Sequence, residues 1–143
     1  MVILDDMDAM PKNHFKMPIE AMKADIDGLG HVNNIVYLKW MIQAALGHSA
    51  ALGFDFEAFK KYGGVFVVRR HEIDYLRSAV LGDQLVMYTW SEPMEKSRAL
   101  RVYHLVRESD QKKMMEAKTF WAFVSPETGK PISIPEELRA AYA

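Results

Sequence analysis

The sequence predicts an α+β fold in which one five-stranded antiparallel sheet curls around a single long buried helix. Three observations carry that expectation. A single long helical segment, roughly 34–47, has apolar residues nearly all the way round. One alternating segment precedes it and four follow, the period-two signature of strands. The last four are joined by connections too short to hold another long helix, which reads as an antiparallel meander.

Taken in order, residues 1–13 (MVILDDMDAMPKN) show no sustained period and include Pro11, so they read as an N-terminal arm before one domain spanning 14–143. In HFKMPIEAMKA, residues 14–24, Phe15, Met17, Ile19 and Ala21 share one alternating face, and Pro18 confines the strand to an edge or a bulge. Residues 25–32 (DIDGLGHV) form a turn rich in glycine and carboxylate. Asn33 or Asn34 then supplies an N-cap, its side-chain oxygen accepting from an otherwise orphaned backbone N–H.

Around the helix, Ile35, Val36, Leu38, Trp40, Met41, Ile42, Ala44, Ala45 and Leu46 leave only Lys39 and Gln43 as a narrow wet stripe. FDFEAFKKY reads as a short helical piece ended by Gly63-Gly64. The four later strands are expected at 65–76, 85–90, 99–107 and 114–124, with Val65, Val67, His71, Ile73 and Tyr75 on one face of the first. In the third, Leu100, Val102, His104 and Val106 oppose Arg101, Tyr103 and Arg107. Pro135 is placed to open a short terminal helix. One helix cannot cover both faces of such a sheet, and VFVV at 65–68 is apolar on both sides, so a second subunit is expected.

Composition excludes several classes of function. The 143 residues are 50% hydrophobic and 26% charged, ordinary for a globular domain with a real core. A net charge of −1 gives no general attraction to nucleic acid or anionic membranes. No cysteine is present, which removes disulfides, thiolate metal sites and a thiol nucleophile. The N-terminus carries acids where a signal peptide has basic and apolar regions, and no window reaches a membrane span, so a cytoplasmic protein is expected. The histidines at 14, 31, 48, 71 and 104 lack paired ligand spacing, and neither a metal nor another cofactor is expected. His48-Ser49 in LGHSAAL fails the nucleophile-elbow pattern, because Ala51 stands where the second glycine belongs.

The stretch DIDGLGHVNNIVYLKW, residues 25–40, concentrates the chemistry. A carboxylate in a glycine turn, aimed at the free amides of a helix start, suits attack on or hydration of an activated carbonyl. The same residues also read as an Asx-type turn and helix cap. This stretch resembles the signature of hotdog-fold thioesterases of the 4-hydroxybenzoyl-CoA and acyl-CoA thioesterase group, and GGVFVVRRHEIDYLRSAVLGDQL resembles that group's second strand and following turn. The resemblance covers nearly the whole chain beyond the arm. It implies the hotdog fold and hydrolysis of acyl-CoA, with acyl-ACP as a variant substrate, in a homodimer or dimer of dimers.

By that resemblance Asp27 is the nucleophile or general base, and the backbone amide of Asn34 is the oxyanion donor. Gly28 and Gly30 let the backbone approach substrate, with Asn33 and Tyr37 beside them. Acyl-ACP thioesterases of plants carry a similar HVNN motif and use an aspartate, an asparagine and a histidine. Asp27 and His31 fit that pattern, but Leu29 stands where the asparagine belongs, so His31 either orients Asp27 or water, or holds the turn. The group's CoA-binding region maps to Lys96, Ser97 and Arg98, where Arg grips phosphate through two bonds and Lys as a point charge; a solvated basic turn is the alternative. Trp40, Met41, Phe66, Met87, Trp90 and Trp121 are candidates to shape the acyl site.

Two other functions fit a hotdog chain. Acyl-thioester hydratases place a histidine five positions after the aspartate, whereas His31 follows Asp27 by four. A non-catalytic acyl-CoA-binding module would keep the pocket without a working carboxylate.

Overall fold

The computed structural model of the chain describes residues 10–143; most of the predicted arm therefore lies outside the described residues. The elements are β1 (Phe15–Glu20), a 3-10 turn (Lys23–Asp25), α1 (Asn34–Ala51), α2 (Phe56–Lys60), β2 (Val65–Tyr75), β3 (Gln84–Ser91), β4 (Arg98–Arg107), β5 (Lys112–Val124) and α3 (Glu136–Tyr142). All five strands form one antiparallel sheet in the order β1-β3-β4-β5-β2. This is the expected α+β hotdog, with β1 at an edge as Pro18 required.

The sheet departs from the expected meander in one respect. β3, β4 and β5 are consecutive neighbours, but β2 pairs with β5 at the far edge and not with β3. The chain between them, residues 76–83, must cross three strand spacings, about 14 Å. Eight residues reach well beyond that, up to roughly 27 Å. The crossing is pinned over the start of α1: Val32 donates to the Ala79 carbonyl at 2.9 Å, and the Ala79 N–H donates to the Tyr37 hydroxyl at 3.0 Å. Gly82 and Asp83 bond Ala21 at the end of β1. Short loops alone favoured neighbours; the crossing is stabilised by tertiary bonds that loop length does not reveal.

α1 runs four residues past Gly47, where the sequence suggested an end. A Cβ on Gly47 would lie 3.0 Å from the Phe15 ring, so glycine there admits β1 and does not stop the helix. Termination falls to Gly53, just beyond the Leu52 cap, in the left-handed region at φ 90°. The helix lies on β1 and β3, burying Val36, Tyr37, Trp40, Met41, Ala44, Ala45 and His48. Met41, Met87, Leu105 and Met115 are fully buried in that core, each contributing about 1.5–3 kcal/mol of burial. A smaller cluster of Phe123, Ile134 and Leu138, with Phe54, Phe59 and Phe66 against it, fills the far end of the sheet.

The all-round burial expected of α1 is not met within one chain. Ile35, Ile42 and Leu46 form an exposed stripe, 68%, 40% and 66% accessible, on the side away from the sheet. A single sheet covers one face of a helix, so the remaining apolar face stays bare in the protomer.

β2 also corrects the single-face reading. Its register to β5 shifts between Val68 and Arg70, leaving Arg69 as the extra residue of a bulge. The bulge reverses the alternation, so Phe66 faces the core before it and Ile73 after it. His71 keeps its expected inward side and bonds the buried Thr119 hydroxyl at 2.9 Å, with burial lowering its pKa. In β4 Ala99, Arg101, Tyr103 and Leu105 are buried in alternation, joined by Val106 where the register to β5 shifts, so the arginine points inward and Leu100 and Val102 outward.

Candidate active site

The turn before α1 is held by its own backbone. Ile26 and Val32 form an isolated antiparallel bridge, Asp27 N–H donates to the His31 carbonyl at 2.8 Å, and Gly30 N–H to the Asp27 carbonyl at 3.1 Å. Gly30 sits at φ 81°, where a side chain is strained, so glycine is needed there. Gly28 adopts no such angle and nothing lies within 4 Å of an added Cβ. Of the two turn glycines, Gly30 alone has a backbone angle that calls for glycine.

Asp25 and Asp27 have different tasks. Asp25 Oδ2 accepts from Met22 N–H at 2.9 Å and its carbonyl accepts from Asn33 N–H at 2.8 Å, tying the 3-10 turn to the helix start. Asp27 is half-buried, and its Oδ1 accepts from Leu29 N–H at 2.9 Å and His31 N–H at 3.3 Å. That is an Asx turn, and it fixes the carboxylate in place. No protein donor reaches its other oxygen among the described residues.

At the helix start, Asn33 is the N-cap, its Oδ1 accepting from Ile35 N–H at 3.1 Å, while Val36 N–H bonds the Asn33 carbonyl. These satisfy the second and third amides of the helix. The first, on Asn34, has no acceptor among the described residues and stands at the positive end of the helix dipole.

Asp27, His31, Asn33, Asn34 and Tyr37 line one cleft of about 340 Å³. Its opposite wall comes from Tyr75, Leu76, Arg77 and Ser78, at the end of β2 and the start of the crossing segment. Sequence reasoning did not assign these wall residues to the site, although all four lie in GGVFVVRRHEIDYLRSAVLGDQL, read there as a strand and the turn that follows it. Tyr75 donates from its hydroxyl to the Asn34 carbonyl at 3.3 Å, and Arg77 is steadied by Nη1 donating to the Lys113 carbonyl at 2.8 Å. Arg77 puts a cation beside the carboxylate turn. Tyr37 is buried, its hydroxyl already accepting from Ala79 and its pKa raised chiefly by burial, which fits packing more than proton transfer.

Lys96, Ser97 and Arg98 are not brought to this cleft within the chain. Lys96 and Ser97 lie in the β3–β4 turn and Arg98 opens β4, near the end of β3 remote from Gln84, while the Asp27 turn follows the β1 end that pairs with Gln84. Lys96 sits at φ 49°, and its carbonyl accepts from Ile134 N–H and Arg139 Nη2, which anchors the turn to the segment entering α3. Of the acyl-site candidates, Trp40, Met41 and Met87 are core, whereas Phe66 and Trp121 line a separate apolar cavity. Among the described residues no group of three His, Asp or Glu gathers as for a metal, and no helix is long and apolar enough to cross a membrane.

Solved structures share this architecture. The 1,4-dihydroxy-2-naphthoyl-CoA thioesterase from Synechocystis superposes with TM-score 0.83 at 18% identity, over 90% of this chain and 95% of that one. A DHNA-CoA thioesterase from Staphylococcus aureus gives 0.79 at 23% identity, covering 90% and 88%. An acyl-ACP thioesterase from Bacteroides thetaiotaomicron gives 0.79 at 20% identity, covering 85% of this chain and 50% of that one. At these identities the likeness establishes the hotdog fold. No curated protein matches. Residues 22–142 match the family model of the thioesterase-like superfamily, and the chain belongs to that superfamily.

Proposed function

We propose that the protein hydrolyses acyl-CoA thioesters to a free acid and CoA in the cleft at the N-terminal end of α1. The observation that carries this reading is the sharing of one cleft by Asp27 and by Asn34, whose amide has no acceptor among the described residues. With Asp27 as general base, it takes a proton from water as the oxygen attacks the thioester carbonyl. The tetrahedral oxyanion accepts from the Asn34 N–H, and collapse expels the CoA thiolate. With Asp27 as nucleophile, the same oxyanion site serves an acyl-aspartyl anhydride that water then opens. His31 is exposed and lines the cleft, which supports a role in orienting the attacking water.

The active form is a homodimer or a dimer of dimers. The bare Ile35, Ile42 and Leu46 stripe and the open edge of β2 support this, since both are surfaces a second copy covers. Lys96, Ser97 and Arg98 reach CoA phosphates only if a second subunit brings them to the cleft. Arg77 is an additional phosphate partner, already in place. Acyl-ACP remains the alternative carrier, and the cytoplasm the expected compartment.

A thiol-release screen over aliphatic and aromatic acyl-CoAs tests the reading, run beside Asp27→Asn. Turnover by the wild type and a loss of ~100-fold or more in the variant are expected. Wild-type rates in Asp27→Asn would overturn the assignment, and tight acyl-CoA binding with no turnover would make the chain a binding module. Sedimentation of the wild type as a monomer at micromolar concentration would overturn the dimer.

A further inference from the structure

At the other end of α1 lies a second cavity, of about 150 Å³, between the helix, α2, α3 and the start of β2. Its walls are apolar, with Phe56, Phe59, Phe66, Met94 and Trp121 prominent, and Arg101 is its cationic member. Ser49, fifteen residues after Asn34, also lines it, so about 22 Å of helix separates it from the Asp27 cleft.

Arg101 is 6% exposed and its side chain is not neutralised. No carboxylate among the described residues pairs with it. Its Nη1 donates to His48 Nδ1 at 3.0 Å and to Thr89 Oγ1 at 3.1 Å, both uncharged acceptors. Accepting at Nδ1 requires His48 to be neutral with its proton on Nε2, and burial and the Arg101 charge indeed hold its pKa down to about 4. The Tyr142 ring lies 5.9 Å away and adds only a quadrupole. The Nε and Nη2 donors have no acceptor among the described residues. Burying an unpaired guanidinium is costly unless something completes it. An arginine presenting two parallel N–H groups is matched geometrically by a carboxylate.

We propose that this cavity is a binding site for a small apolar monocarboxylate, its carboxylate on Arg101 and its hydrocarbon part among the aromatic walls. A void of about this volume accepts a group the size of a benzene ring, which sets the scale at benzoate or hexanoate. The Ser49 Oγ and Tyr142 hydroxyl, 2.6 Å apart, put one polar pair on the lining. Strongly hydrated inorganic anions fit the apolar walls poorly. The site does not rest on thioester hydrolysis, and its occupant is either an acid the protein itself releases or an acid from another reaction.

The test is titration of the full-length protein with benzoate and hexanoate, against benzamide, hexanol and sodium chloride as isosteric and ionic controls. Trp121 fluorescence and backbone amide NMR are the readouts. Saturable binding of the acids is expected, with the neutral isosteres at least 10-fold weaker and shifts centred on Ala45, Ala99 and Tyr142. Arg101→Met is expected to weaken the acids at least 10-fold, and Arg101→Lys to give an intermediate loss. Should Arg101→Met not fold, the wild-type comparison of acid and amide decides alone. Equal binding of benzamide and benzoate, no binding at millimolar acid, or shifts centred on Asn33 and Asn34 would each overturn the proposal. Unchanged acid binding by Asp27→Asn is expected too, and keeps the outcome separate from the hydrolase reading. Retention of acid after wild-type turnover of the matching acyl-CoA, but not of unrelated acids, would identify the bound acid as the product.

Discussion

The cleft at the N-terminal end of α1 and the cavity at its C-terminal end are lined by one helix, yet they place their charges by opposite means. Asp27 is fixed by amides two and four residues away, remains half-buried, and shares its cleft with Asn34 at the helix start. Arg101 is set in place by the registers of β3, β4 and β5, with acceptors from Thr89 on β3 and His48 on α1. A turn of seven or eight residues therefore suffices to aim a hydrated carboxylate. Only tertiary pairing drives a cation into an apolar interior, where its acceptors among the described residues are uncharged.

The largest expected effect compares the two carboxylates of the same turn. Asp27→Asn lowers kcat for the best acyl-CoA by ~100-fold or more. Asp25→Asn keeps an acceptor for Met22 N–H and leaves kcat within about threefold. Equal losses in the two variants would show that the turn's geometry, and not the charge at residue 27, governs turnover.

At the other end the corresponding charge test is pH. His48 is nearly solvent-free, and its pKa falls from 6.5 to about 4 through burial first and the Arg101 charge second, with His14 adding a smaller push. Above pH 6.5 it is neutral in both folded and unfolded chains and contributes no pH dependence. Between pH 6.5 and about 4 the unfolded chain takes up a proton that the folded one refuses, so stability falls as pH falls, by on the order of 2–3 kcal/mol. His71, lowered in the same direction, adds to the slope, whereas the Asp110 carboxyl, held near 2 by Arg107, titrates below this window. Urea unfolding at pH 7 and pH 4.5 measures the loss. His48→Gln retains an acceptor for Arg101 and removes the proton site, so it should flatten much of the slope; an unchanged slope would assign the effect elsewhere.

How much was legible in the sequence follows the same division. The Asp27 turn, a cap at Asn33 or Asn34, β1 at an edge and the bounds of the four later strands to within two residues were readable because each is written in neighbouring residues, whereas β1 ends at Glu20 and gives way to the 3-10 turn within the stretch expected to be strand. The crossing of β2 to the far edge was not, since it depends on bonds from Val32 and Tyr37 to Ala79, more than forty residues apart in both cases. The bulge at Arg69 inverted half of β2, which alternation alone cannot foresee. Arg101 looked like an outward charge, although Ala99, Tyr103 and Leu105 at two-residue spacing marked its face as the buried one. Helical periodicity did find an apolar surface on α1, but could not say that Ile35, Ile42 and Leu46 stay bare in one chain.

Tyr37→Phe probes the joint between the crossing and the helix. It removes the acceptor for a buried Ala79 N–H while leaving the ring packed against Trp40 and Tyr75. A loss of about 1–3 kcal/mol is expected in denaturant unfolding. A loss below about 0.5 kcal/mol would show that the crossing is held by its other bonds, from Val32, Ala21 and Lys113, without the Tyr37 hydroxyl.

The smallest expected difference lies within the turn that aims Asp27. Gly30 occupies φ 81° and donates to the Asp27 carbonyl, so Gly30→Ala imposes left-handed strain of about 1–2 kcal/mol. Gly28 has an ordinary angle and open space around it, so Gly28→Ala removes backbone freedom from the unfolded chain without strain in the folded one. That substitution should be neutral or stabilise by up to about 1 kcal/mol. Parallel melts of the two variants compare them directly. If Gly28→Ala were the more destabilising, the turn would have to adopt another conformation in solution, and the placement of Asp27 in the cleft beside Asn34 would no longer follow from its backbone.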